Sequence, residues 1–328
     1  MPPTPIDTDI LLVGAGPTGL YGAYCAGFRG LRTVVVDGLP QPGGQISALY
    51  PEKEILDVAG LPRVRGRDFV AALLEQAGQY GPEYLLGRQA VTLGYASDGR
   101  AEVTLADGQP IRAGAVILTA GIGTFTPRKL PAGEDYLGRG LSYFVADPDA
   151  HRGQDVLVVG GGDSAVDWTL ALEPIARSVT LVHRRSAFRA HAANVAAVAE
   201  STATVVTDAE VEALTGGESL RQAHVRVRGD DAPRVFEVDS VVAALGFVSN
   251  LGPLNEWGLR LRGRSIVVDS RMRTSLDRVY AAGDVTEYEG KVRLMSVGFG
   301  EVATAVNNAA VALDPQLPLF PGHSTENS

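Results

Sequence analysis

Three arginines within six residues, Arg184, Arg185 and Arg189, stand after a glycine-rich turn in this 328-residue chain. Planar guanidinium groups hold phosphate through charge-assisted, often bidentate hydrogen bonds. The turn ahead of them reads Gly160-Gly161-Gly162-Asp163-Ser164-Ala165, between an apolar stretch at 155–159 and a helix-like stretch at 166–172. In a strand–turn–helix unit this spacing lets Gly160 make the tight turn, lets Gly162 admit a pyrophosphate against bare backbone, and lets Ala165 pack helix on strand. Asp163 and Ser164 open the helix, whose N-terminus favours anions. A following strand at 179–182 runs into His183-Arg184-Arg185, so the arginines stand where a dinucleotide's adenosine ribose is read.

The same grammar occurs earlier with a different ending. Residues 9–13 form a short apolar strand, Gly14-Ala15-Gly16-Pro17-Thr18-Gly19 the turn, and 20–28 a helix-like stretch. A second strand at 33–36 ends in Asp37, whose carboxylate can accept both ribose hydroxyls. A carboxylate repels a 2′-phosphate and guanidinium groups attract one, so the two loops select different dinucleotides, NADPH at the second.

Other chemistry is restricted by what is absent. Cys25 is the single cysteine, which excludes an internal disulfide, a thiolate zinc site and a two-thiol relay. Histidines 151, 183, 191, 224 and 323 never fall into a metal-ligand spacing, so no metal is expected. A net charge of −9 argues against nucleic acid as the main partner. No apolar run is long enough for a membrane helix, and residues 1–8 lack the basic-then-apolar order of a signal peptide, so the simplest location is cytoplasmic. With 45% hydrophobic and 20% charged residues the chain reads as globular, and its length suits two domains.

The elements that must position these loops follow from the remaining apolar runs. A strand at 116–118 leads into Thr119-Ala120-Gly121-Ile122-Gly123, and a strand ending at Gly246 closes the second unit. A further strand from 279 runs to Ala282-Gly283-Asp284 and belongs back with the first unit. The expected architecture is α/β, with two Rossmann-like, three-layer ββα domains. A discontinuous domain, 1–118 and 247–328, carries an inserted one, 119–246.

Together these blocks resemble the two-dinucleotide flavoproteins, with Gly14-x-Gly16-x-x-Gly19 for FAD, Thr119-Ala120-Gly121 as linker and Ala282-Gly283-Asp284 by the flavin ribityl chain. Thioredoxin reductases are similar in order and length but carry two reactive cysteines before the second loop. Phe144 and Asp147 occupy those positions after Ser142-Tyr143, and neither can exchange a disulfide. Gly43-Gly44-Gln45, Ala48-Leu49-Tyr50-Pro51, Tyr288-Glu289-Gly290-Lys291, Gly298-Phe299-Gly300-Glu301 and the tail His323-Ser324-Thr325 resemble the thioredoxin-reductase-like (bacterial type 2) ferredoxin–NADP reductases.

That resemblance implies an FAD-dependent oxidoreductase moving electrons between NADPH and an acidic iron–sulfur ferredoxin. Hydride transfer to FAD would be followed by one-electron steps. It implies FAD contacts at Gly14, Gly16, Thr18, Gly19, Asp37, where relatives usually have glutamate, Gln45, Tyr50, Val91 through its backbone, Phe125, Asp284 and Thr325. Tyr50 would stack on the isoalloxazine, with His323 and Ser324 covering it from the partner of a homodimer. NADPH would fall on Gly160, Gly162, Asp163, Ser164, Ala165, His183, Arg184, Arg185 and Arg189. Hydride transfer needs orientation rather than a proton donor, and no acid or base is assigned. The glycines around 121–123 and 246 imply rotation of the inserted domain. Arg63, Arg65, Arg67, Arg128 and Lys129 are candidates for a positive docking rim. Rival readings are a reductase of flavodoxin, free flavin or a quinone, a flavin-dependent monooxygenase, and a non-catalytic FAD/NADPH redox sensor.

Overall fold

The computed structural model describes residues 3–323, and the chain divides into two compact units, Met1–Thr124 with Ser249–Ser328, and Phe125–Val248. In the first unit the strand Ile6–Val13 lies at the centre of a sheet, parallel to Thr33–Asp37 on one side and to Pro110–Leu118 on the other. Ile10, Leu11 and Leu12 are all fully buried, so both faces of this strand are covered. That is why it reads as a continuous apolar run rather than an alternating one. Glu83–Leu86 extends the sheet beyond Thr33–Asp37.

Pro110–Leu118 changes partners along its length. Its first half pairs antiparallel with Ala101–Leu105, Ala101 facing Ala113, and its second half pairs parallel with Val279–Ala281, Val279 facing Val116. The meander formed with Ala90–Tyr95 thus continues the seven-stranded sheet as antiparallel strands. Helices pack against this sheet. Pro17–Phe28 starts with proline in its first turn and buries a face of small residues, Gly19, Gly22, Ala23 and Ala26. It packs so closely on Met295–Leu313 that a β-carbon on Gly22 would come within 2.6 Å of Val302 Cγ2.

Residues 119–124, placed by sequence in the inserted domain, pack instead with the first unit. The Thr119 N–H donates to Val13 O at 2.8 Å, and a β-carbon on Gly123 would meet Asn250 O at 2.1 Å. After the last helix the chain is tied back by Arg29, whose Nη1 donates to Asn307 Oδ1 at 3.0 Å and to Pro318 O at 2.9 Å. The same Nη1 also reaches Leu319 O at 3.2 Å, so the segment after the helix is held as far as residue 319.

The inserted unit repeats the plan with its own core, which includes Leu157, Val182, Val211, Val225 and Val241. Its five-stranded parallel sheet runs Leu141–Ser142, Ser240–Ala243, Asp155–Val159, Ser178–Val182, Thr204–Val206. Helices Asp163–Leu172 and Ala192–Glu200 and an antiparallel sheet of Ala209–Gly216, Leu220–Val227 and Arg234–Glu237 complete it. Among the described residues no helix is long and apolar enough to cross a membrane, and no group of three or more His, Cys, Asp or Glu could hold a metal.

Candidate functional site

In the first unit the glycine loop is a piece of backbone with no room for side chains behind it and open space in front. Gly14 has φ +118°, and a β-carbon there would stand 2.4 Å from Thr119 O, while one on Gly19 would stand 1.9 Å from Gly14 O. At Gly16 the nearest atom to such a carbon is Gly44 Cα, 4.0 Å away. The loop is thus closed on the strand side and bare where a pyrophosphate would lie, so the residues fit a dinucleotide.

Three other segments hold it. Thr119 Oγ1 donates to Gly14 O at 2.8 Å, and the Gly43 N–H donates to Ala15 O at 2.8 Å. Asp37 accepts from the Ala15 N–H at 2.6 Å on one carboxylate oxygen and from the Leu39 N–H at 2.8 Å on the other. Each oxygen keeps a further lone pair for a hydroxyl. Burial pushes the Asp37 carboxyl above its usual range against the pull of those two donors.

The remaining flavin candidates gather on the same unit. Gln45 opens the short helix Gln45–Leu49, with its Nε2 near Gly121, and Tyr50 caps that helix. Burial raises the Tyr50 hydroxyl above its ordinary value, and the carboxylates of Asp284 and Asp57 push the same way. Val91 lies where the register between Ala90–Tyr95 and Ala101–Leu105 slips, and its carbonyl accepts the Trp257 Nε1–H at 2.8 Å. Thr18 is wedged between two glycines, since β-carbons on Gly283 and Gly298 would lie 3.0 and 2.7 Å from its Oγ1. The Phe125 side chain, Ser324 and Thr325 lie outside the described residues. His323, the last described residue, packs edge-on against Phe320 at 5.0 Å.

A buried ion pair beneath this site was legible in sequence only as part of a resemblance. Lys291 and Glu301 have side chains 2% and 5% exposed and are bonded to each other. Glu301 Oε2 accepts the Gly283 N–H at 2.7 Å, and Lys291 Nζ donates to Gly283 O at 3.0 Å. The pair therefore grips both polar atoms of Gly283, which has φ +83°, and so fixes where the next residue, Asp284, begins. Burial raises the Asp284 carboxyl, while Lys291 and Arg293 pull it back down.

In the inserted unit the glycine loop and the arginine segment are joined into one body. The Arg189 N–H donates to Gly161 O at 2.7 Å, and the His191 N–H donates to Asp163 Oδ1 at 2.8 Å. The middle glycine is required by His183, because a β-carbon on Gly161 would lie 2.0 Å from its Cε1. That imidazole is 8% exposed and stacks on Phe188 at 5.1 Å. Burial, and next to it the arginines, hold it below the ordinary histidine range, against a pull from Ala187 O. His183 and the Asp163 carboxylate, counted from sequence among the ligand contacts, are engaged in bracing the loop.

A β-carbon on Gly162 would meet nothing within 4 Å and Ser164 is exposed, so the front of this loop is open too. A cavity of about 350 Å³ opens beside it, lined by Arg184, Arg185, Arg189, Asp208 and Arg228 among others. The first three guanidinium groups are exposed and form no ion pair with any described residue, an arrangement suited to a phosphate.

Two places bear on thiol chemistry. Asp147 caps the short 3-10 helix Pro148–His151 by accepting the Asp149 N–H at 3.0 Å, and Phe144 is exposed. Cys25 is buried, and desolvation pushes its thiol up to about 12. No thiol chemistry is available at either place. Of the candidate rim, Arg63 pairs with Glu54, Arg65 and Arg67 with Glu52, and Lys129 with Glu134, which cancels much of its field.

The family model for pyridine nucleotide-disulphide oxidoreductases matches residues 8–309. A ferredoxin–NADP reductase of Salinispora tropica is 59% identical over 98% of this chain and 99% of its own. One from Saccharopolyspora erythraea is 58% identical over 99% of each, and one from Halalkalibacterium halodurans 44% over 97% of each. Among solved structures, thioredoxin reductase from T. acidophilum superposes with a TM-score of 0.79 at 24% identity, covering 95% of this chain and 99% of its own. The Lactococcus lactis thioredoxin reductase gives 0.79 at 23%, covering 94% and 100%. These two likenesses concern the fold, whereas the identity with the first three extends to sequence along nearly the whole length. On both grounds the chain belongs to the pyridine nucleotide-disulphide oxidoreductase family, among its relatives that bear the name ferredoxin–NADP reductase.

Proposed function

We propose that this chain is an FAD-dependent ferredoxin–NADP reductase, with FAD held by the first unit and NADPH by the inserted one. The observation that carries the reading is the unequal ending of two equal loops. One leads to Asp37, braced on Ala15 and Leu39, and the other to three arginines, unpaired among the described residues, around a cavity. When bound, FAD accepts a hydride from the nicotinamide and releases electrons one at a time, as a one-electron iron–sulfur acceptor requires.

The protein's own part is binding and orientation. The bare face of Gly16, on the loop that Gly14 and Gly19 keep closed behind it, receives the FAD pyrophosphate beside Thr18, and Asp37 the ribose hydroxyls. Gln45, Tyr50, Val91, Phe125, Asp284 and Thr325 set the flavin's position, with Tyr50 against the ring and His323 and Ser324 covering it in a homodimer. Gly160, Gly162, Ser164 and Ala165 form the NADPH pyrophosphate seat, which Asp163 and His183 brace. Arg184, Arg185 and Arg189 take the 2′-phosphate. No side chain is assigned to move a proton here, since hydride transfer needs stacking and orientation rather than an acid or base. The enzyme works in the cytoplasm.

The test is steady-state kinetics with both nicotinamides on wild type and Arg184→Ala. Losing a charged hydrogen bond of roughly 1.5–3 kcal/mol raises the KM for NADPH about 10- to 150-fold and leaves NADH use nearly unchanged. Equal effects on the two cofactors would remove the basis for assigning NADPH. Substituting flavodoxin, free flavin or a quinone for ferredoxin in the same assay separates the rival acceptors.

A further inference from the structure

Arg228 and Asp208 line the arginine cavity, yet neither belongs to the segment that follows the glycine loop. Arg228 stands just past the strand Leu220–Val227, and Asp208 just before Ala209–Gly216. Asp208 ties the two arginine-bearing segments together through its main chain. Its N–H donates to Arg185 O at 3.4 Å, and its carbonyl accepts the Arg228 N–H at 2.9 Å. Its φ is +50°, a left-handed conformation that costs a side-chain-bearing residue energy and that aspartate and asparagine tolerate best. The side chains meet as well, with Arg228 Nη1 3.4 Å from Asp208 Oδ1.

The cavity thus holds four guanidinium groups and one carboxylate, and the single carboxylate is matched to the one guanidinium that comes from outside the arginine segment. A solvated ornamental pair would not explain why a strained residue is stationed there, bonded on both sides to arginine backbones. We propose that Arg228 is a fourth cation of the 2′-phosphate site and that Asp208 tunes its selectivity. Asp208 holds Arg228 at the rim while the cavity is empty, and an arriving phosphate must draw Arg228 from it. Asp208 thereby weakens phosphate binding, since a dianion meets a fixed negative charge on entry. This rests on the assignment of the inserted unit to NADPH.

The test is calorimetric titration of the full chain with adenosine 2′,5′-bisphosphate, and with AMP as the ligand lacking a 2′-phosphate. The Arg228 side chain is 80% exposed, so Arg228→Gln should fold as wild type does. It is expected to weaken bisphosphate binding roughly three- to tenfold, the range for an exposed charged contact, and to leave AMP unchanged. Asp208→Asn preserves the left-handed turn and is expected to tighten bisphosphate binding by about the same factor, again without effect on AMP. A role limited to holding the turn would produce no tightening. If both variants bind the bisphosphate as wild type does while Arg184→Ala binds it poorly, the proposal is wrong and the NADPH assignment stands. If Arg184→Ala also leaves the preference for bisphosphate over AMP intact, the assignment fails and the proposal with it.

Discussion

Replacing Glu301 by glutamine should destabilise the first unit severely, because this carboxylate collects four donors in a place water does not reach. The Gly283 N–H at 2.7 Å and Thr286 Oγ1 at 3.3 Å donate to Oε2, and the Tyr288 hydroxyl and Lys291 Nζ donate to Oε1. An amide NH2 in place of either oxygen turns donors against donors, and it strips Lys291, 2% exposed, of its counter-charge. Breaking a buried pair from one side costs about 3–5 kcal/mol. For a unit of this size each kcal/mol lowers Tm by about 2–4 °C, so a fall of roughly 6–20 °C is expected. Thermal unfolding followed by circular dichroism and by release of fluorescent FAD measures it, and the FAD should leave no later than the fold melts, because the pair also holds Gly283 ahead of Asp284. Lys291→Met/Glu301→Gln should recover part of the loss, since the uncompensated cation is gone. A single-variant Tm within about 2 °C of wild type, or a double variant worse than the sum of the singles, would refute the reasoning.

Gly161→Ala should weaken NADPH binding without affecting FAD retention, because the new methyl would lie 2.0 Å from the His183 ring, and Gly161→Ala/His183→Ala should restore much of it; fluorescence titration with NADPH decides. His151 and His183 both titrate below their ordinary value, chiefly through burial. The unfolded chain then binds protons that the folded one refuses, so stability is greatest above the unfolded histidine pKa of about 6.5 and is lost as pH falls toward the folded values. The Tm should therefore drop between about pH 7.5 and pH 5.5, and His151→Gln/His183→Gln should flatten that drop; an unchanged slope would mean that neither ring carries it.

Sequence pattern revealed the two loops because the fold needs them to be locally consistent: a buried parallel strand is apolar throughout, and a pyrophosphate turn tolerates only glycine at the bare positions. What pattern could not reveal depends on segments that meet only in the folded chain. Thr119 locks a loop more than 100 residues earlier, a contact that neither the strand running into it nor its place in the linker announced. Asp147, noticed for the cysteine it replaces, turned out to have a task of its own in capping a helix. His183 lies beside the arginines in sequence, which suggested phosphate, and pattern gave no sign that its ring packs against Gly161 and stacks on Phe188. Arg228 and Asp208 carried no sequence signal, since nothing in their neighbourhoods links them to the earlier arginine segment whose cavity they share. The sign of the charges at 63–67 was legible, but their pairing with Glu52 and Glu54 was not.

The assigned function requires electrons to pass from NADPH through the flavin to a one-electron acceptor without a thiol. Anaerobic stopped-flow mixing of the FAD-loaded Cys25→Ser variant with NADPH and oxidised ferredoxin measures this directly. Immediate bleaching of the flavin and reduction of two ferredoxins per NADPH at the wild-type rate, with NADH much slower, are the expected results. Loss of ferredoxin reduction in that variant, or equal rates with NADH, would overturn the assignment.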